Sequence, residues 1–147
     1  MSITITDDSA KFDATAKRLD ALDGLSGLAG LFDQESAEKG WRHEKGEGVP
    51  QRPWLSASTD AITPKLGTES EREIGKVVDG DSTAKEALGE LAETTADAAV
   101  SYVATGKVQG KALSKAAKRR DPRKLIDSGD MIGDMETDVV ASSAVPE

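Results

Sequence analysis

Hydrophobic positions recur at helical spacing in three places along the chain. Phe12, Ala16, Leu19 and Leu22 fall on one face of a helix over residues 10–22, preceded by the capping types Asp7, Asp8 and Ser9 and ended by Gly24. Residues 68–79, "TESEREIGKVVD", open with Thr68 and acids suited to a helix N-terminus. The strongest pattern is 82–104. Thr83 and Glu86 fit a capping box, and Ala84, Leu88, Leu91, Thr95, Ala98 and Tyr102 form a stripe whose alanines let a neighbouring backbone approach closely. "SAEKGWRHE" reads as a further short helix capped by Ser36, with Trp41 assigned to the core in preference to an interface.

Period-two alternation marks the strands. "SITIT" (residues 2–6) alternates apolar and hydroxyl side chains, residues 28–32 form a short apolar run, and 131–140 place Met131, Met135, Thr137 and Val139 on one side. Gly133 on that side predicts a bulge or a close backbone approach. Asp127, Ser128 and Gly129 supply turn chemistry ahead of this strand, Asp127 as the carboxylate that caps backbone N–H groups.

One segment fits neither period. "GVPQRPWLSAS", residues 48–58, holds Pro50 and Pro53 around Arg52 and Trp54, and its prolines predict a stiff, non-helical arm. Trp54 either plugs the core of its own subunit or is presented to a partner, where Trp and Arg are favoured anchors.

The expected fold class is α+β: a small, mostly antiparallel sheet packed against two or three helices, with an extended proline arm and a long basic loop at 105–124. Residues 1–140 read as one domain and 141–147 as a flexible tail. A hydrophobic fraction of 37% and only 3% aromatic residues set the expectation of a small core.

Charge changes the picture in one respect. The chain carries −8, yet Lys107, Lys111, Lys115, Lys118, Arg119, Arg120, Arg123 and Lys124 face the single acid Asp121. That stretch is therefore +7 and the remainder −15. Such a run is a solvated loop, or a contact for nucleic-acid phosphates or for an acidic protein ring. No aromatic interleaves it, which argues against base stacking.

Candidate chemistry is sparse. There is no cysteine and one histidine. His43-Glu44 lacks the second histidine of H-E-x-x-H, so a zinc site of nitrogen and sulfur ligands has no ligand set. No nucleophile elbow or phosphate-binding glycine loop is present. The expectation is a non-enzymatic protein without cofactor, metal site or membrane span, made in a cytoplasm.

Two stretches in order resemble a known family. "HEKGEGVPQRPWL" is similar to the H-E-F-G … I-P-x-R-P-F-[LM] signature of phage tail-completion, or neck, proteins, and "RKLIDSGDM" (residues 123–131) to their K-P-L-I-D-T-G-x-[LM] turn. The helix "STAKEAL" lies between them, as in that family, and the likeness covers roughly residues 28–140. Lys45 replaces the aromatic, Trp54 the phenylalanine, Lys124 the proline and Ser128 the threonine.

The resemblance implies a virion protein, assembled in the host cytoplasm into a six-membered ring at the head-proximal end of the tail. Its partners would be further copies, tail terminator or tail tube proteins and head-completion or connector proteins. Genomic DNA would pass through the lumen without specific binding. Arg52, Trp54, Leu55, Lys118, Arg119, Arg120 and Arg123 are the candidate interface, and Pro50, Pro53, Asp127, Ser128 and Gly129 the structural turns. The competing expectation is a small nucleic-acid-binding protein that uses residues 107–124.

Overall fold

In a computed structural model, residues 8–108, 110 and 130–145 are described. The expected strand at 2–6, the turn Asp127–Gly129 and most of the basic run lie outside these residues. The order is α1 (Ser9–Asp23), β1 (Leu25–Leu31), α2 (Gln34–Lys45), α3 (Leu55–Asp79), α4 (Ala84–Ala104), a helical turn (Asp130–Gly133) and β2 (Met135–Ala141), closed by a 3-10 turn at Ser142–Ala144. The class is α+β.

α3 and α4 form a helical hairpin whose corner is written in the sequence. Gly80 adopts φ 86° beyond the last turn of α3, and the Asp81 N–H reaches back to the Lys76 carbonyl at 2.8 Å. Three residues later Thr83 caps α4. Its hydroxyl accepts the Glu86 N–H while the Glu86 carboxylate accepts the Thr83 N–H at 2.8 Å, completing the expected capping box.

The expected alanine face of α4 is present but rotated. Ala84, Ala87, Ala92, Ala96, Ala99 and Val103 are buried, while Leu88, Leu91, Thr95, Ala98 and Tyr102 are half-buried beside them. α4 packs against α3 and against both strands, so its covered face is wider than a single stripe. The close approach is real at Gly27 of β1, where a Cβ would sit 2.7 Å from the Leu88 carbonyl oxygen.

β1 and β2 pair antiparallel in continuous register from Leu25 opposite Ala141 to Leu31 opposite Met135. β1 starts earlier than the apolar run at 28–32 suggests, because Gly24 ends α1 and leads straight into it. β2 begins at Met135 rather than 131. Residues 130–133 are helical, so Gly133 marks neither a bulge nor a close approach: a Cβ there meets nothing within 4 Å. Residues 141–145, expected as tail, instead continue the structure. Ala141 ends the strand, and Ser142 donates its N–H to the Gly24 carbonyl at 3.0 Å.

Helix α3 runs 13 residues further toward the N-terminus than its apolar pattern indicates, and it contains Pro64. The hydroxyls of Thr59 and Thr63 bond back to the carbonyls of Leu55 and Thr59 at 2.8 Å, and this stretch is mostly exposed. Further along α3, Glu73 is buried and holds Lys76 Nζ at 2.8 Å and Arg72 Nη2 at 3.0 Å. The Lys76 hydrogen bonds, opposed by burial and joined by those of Arg72, keep its carboxyl below the ordinary range.

The core is small, as the composition indicates. Trp54, Ala99, Val103 and Val108 are buried together, with Leu31, Leu55, Tyr102, Ile132 and Met135 packed around them. α1 contributes no buried residue. Ala16 and Leu22 of its expected face are half-buried, but Leu19 is exposed and Phe12 is 74% exposed.

Candidate functional site

The first of the two signature stretches folds into a single corner between α2 and α3. α2 is capped by Asp33, whose carboxylate accepts the Ser36 N–H at 3.0 Å, so Ser36 is inside the helix rather than its cap. Ser36 and Gly40, four residues apart, form the buried face of α2. Gly46, at φ 80°, then ends the helix in the left-handed conformation that glycine adopts without strain.

The chain returns through residues 47–54 without regular structure, and α3 begins at Leu55, so Leu55–Ser58 are helical although the proline segment reads as non-helical throughout. Pro53 lies just ahead of the helix, where its missing N–H leaves no gap in the hydrogen-bond ladder. The Arg52 N–H donates to the His43 carbonyl at 2.7 Å, and Gln51 Nε2 to the Glu44 carbonyl at 3.1 Å.

Glu44 does the work of an N-cap for a helix that has none of its own. Trp54, at the cap position, makes no side-chain cap bond. Instead Glu44 Oε2 accepts the N–H groups of Trp54 at 2.9 Å and Leu55 at 3.0 Å, and Oε1 accepts the Ser56 N–H at 3.3 Å and its hydroxyl. Partial burial works to raise the Glu44 pKa. The bonds from the Ser56 hydroxyl and the three amides outweigh it and hold the carboxyl below its ordinary value.

Trp54 is 2% exposed and belongs to the core of its own chain. Its indole N–H donates to the Gly40 carbonyl at 3.1 Å. A Cβ on Gly40 would lie 2.7 Å from Leu31 Cδ1 and 3.1 Å from Trp54 Cζ2, so the indole fits only because position 40 has no side chain.

Arg52 is 8% exposed. Its Nη1 lies 3.5 Å from His43 Nδ1, its Nε has no partner, and no carboxylate among the described residues pairs with it. Burial, then the Arg52 charge, push the His43 pKa down, against a hydrogen bond to the Pro50 carbonyl that raises it. Both effects favour the neutral imidazole, whose Nδ1 faces the guanidinium. Gly110, at φ 112°, rests on this strand of chain, where a Cβ would stand 2.3 Å from the Gln51 carbonyl oxygen.

Trp41, expected in the core, is 54% exposed, because on α2 the inward positions belong to Ser36 and Gly40. Lys45 Nζ sits 4.8 Å above its ring. Trp41 borders a small, largely apolar cleft of about 110 Å³ that reaches Leu31, Gly40, Glu44, Trp54 and Leu55. The expected interface residues thus divide. Arg52 and Trp54 are buried, Leu55 is half-buried at the cleft, and Lys118, Arg119, Arg120 and Arg123 lie outside the described residues. The exposed aromatic at the corner is the one that the sequence assigns to the interior.

Comparison with known protein families, with characterised proteins and with solved structures finds no match to this chain.

Proposed function

We propose that this chain is a tail-completion or neck subunit of a tailed phage, part of a ring that joins the tail to the capsid connector and leaves a channel for DNA. The observation that carries the reading is the stretch "HEKGEGVPQRPWL". Its resemblance to the family signature extends to residues that act as one unit here, with Glu44 holding the start of α3 and Trp54 closing over Gly40. In this reading the proline-bearing segment is a rigid arm that fixes the corner. Trp41, with the adjoining cleft, offers a neighbouring ring an aromatic contact. The basic run between Lys107 and Lys124 docks on an acidic partner ring. An overall acidic subunit suits a lumen through which DNA must slide. The test is genetic. Removing the protein from the phage that encodes it leaves filled heads and separate tails, and joined particles in its absence overturn the reading.

A second reading rests on the +7 run between Lys107 and Lys124: a small nucleic-acid-binding protein. It requires duplex binding that weakens steeply with salt and disappears when Lys118, Arg119 and Arg120 become alanine.

A further inference from the structure

Among the described residues, only one of the two edges of β1 is paired, by β2. The seven residues of β1 contain no charge and no proline, and its register with β2 runs without a bulge. No backbone hydrogen bond among the described residues reaches its outer edge. Sheets ordinarily guard such an edge with charges, proline or bulges, since it is a template for another strand. β2 carries that protection. Glu136 and Asp138 alternate along it, and the Asp138 carboxylate takes the Val139 N–H at 2.7 Å.

The same chain carries a segment suited to the open edge. Residues 2–6, "SITIT", are uncharged, alternate in period two, and hold four β-branched side chains in a row. They precede α1, which meets α3 and α4 as well as β1. It meets the body through its later turns, where Arg18 Nη1 donates to the Val78 carbonyl at 2.9 Å and crowds Gly80. Residues 9–13 at its other end are all exposed. A helix of this length spans about 22 Å. The end of α1 that this segment precedes in the sequence therefore stands in solvent.

We infer that residues 2–6 of a second copy add as a strand to the open edge of β1. The donated strand is held by main-chain bonds, with Ile3 and Ile5 on one face. Donation from each copy to the next is a head-to-tail contact, which closes into a ring when the rotation permits. The inference stands on the edge and the helix, not on the virion reading. A chain that exchanges strands but is absent from particles keeps this contact and loses that function.

The experiment uses the whole chain. Sedimentation is measured over a range of concentrations, together with amide hydrogen exchange of β1, for the native protein, for Ile3→Pro/Ile5→Pro and for Ile3→Val/Ile5→Val. The expected result is an oligomer in which the β1 amides gain protection as concentration rises. The proline pair abolishes both, the valine pair keeps both, and the exchange of α3 and α4 is unchanged in each. A monomer at every concentration overturns the inference, as does an oligomer indifferent to the prolines. Protection of β1 that depends on residues 2–6 but not on concentration overturns it in favour of pairing within one chain.

Discussion

The Glu44 carboxylate in the last turn of α2 accepts the Trp54 N–H at 2.9 Å, so α3 starts on the side chain of the preceding helix. The same carboxylate accepts the Leu55 N–H at 3.0 Å, and the indole N–H of Trp54 donates to the Gly40 carbonyl at 3.1 Å, so both ends of Trp54 are tied to α2.

Losing that cap is costly. Glu44→Ala leaves the first N–H groups of α3 unpaired and lowers stability by about 1–2 kcal/mol, the range of a lost N-cap. Urea denaturation followed by tryptophan fluorescence reads it.

The cap also titrates. The Glu44 carboxyl is held below its unfolded value, so its contribution is complete above the ordinary carboxylate range and is lost as pH falls through the lowered pKa. Acid unfolding midpoints for the native protein and Glu44→Gln, taken from circular dichroism, should show the native protein losing more stability on acidification than the variant.

His43 is the only histidine, which makes it its own reporter. Its NMR titration midpoint lies below the ordinary value of about 6.5, and Arg52→Gln moves it upward by removing the adjacent charge. Because the folded pKa is depressed, this group favours folding above the unfolded pKa, and that stability is lost as pH falls through the folded one. A midpoint unchanged in Arg52→Gln would show that the guanidinium does not act on the ring.

The fit of indole against glycine predicts steric sensitivity. Gly40→Ala inserts a methyl group where 2.7 Å separates it from Leu31 Cδ1, at a cost of about 1–3 kcal/mol. Trp54→Ala removes the largest side chain of the core and costs about 3–5 kcal/mol. Trp41→Ala, at an exposed position, changes folding stability by less than about 0.5 kcal/mol. Thermal and urea denaturation of the three variants give the order.

Pro64 lies in the exposed part of α3, where it removes a hydrogen-bond donor from the helix. Pro64→Ala therefore stabilises the protein, by up to about 3 kcal/mol. Denaturation midpoints measure it directly.

What was legible in the sequence was whatever depended on near neighbours. The capping box of Thr83 and Glu86, the glycine end of α1, and the alternation of Met135, Thr137 and Val139 all work within a few residues. The first half of α3 was hidden because Pro64 argues locally against a helix whose first amides are held by Glu44, a residue of the preceding helix. Trp41 and Gly40 exchanged roles because burial on α2 follows shape. The indole of Trp54 needed a gap there, which hydropathy at position 40 does not report. The pairing of Glu44 with Trp54 spans ten residues and two elements, so no periodicity carries it.

The most direct test of the proposed function is quantitative mass spectrometry on purified tailed particles from the source of this sequence, counted against the major tail protein. The proposed neck ring predicts about six copies per particle, the number that the family resemblance implies for a closed ring. Particles that contain none contradict it.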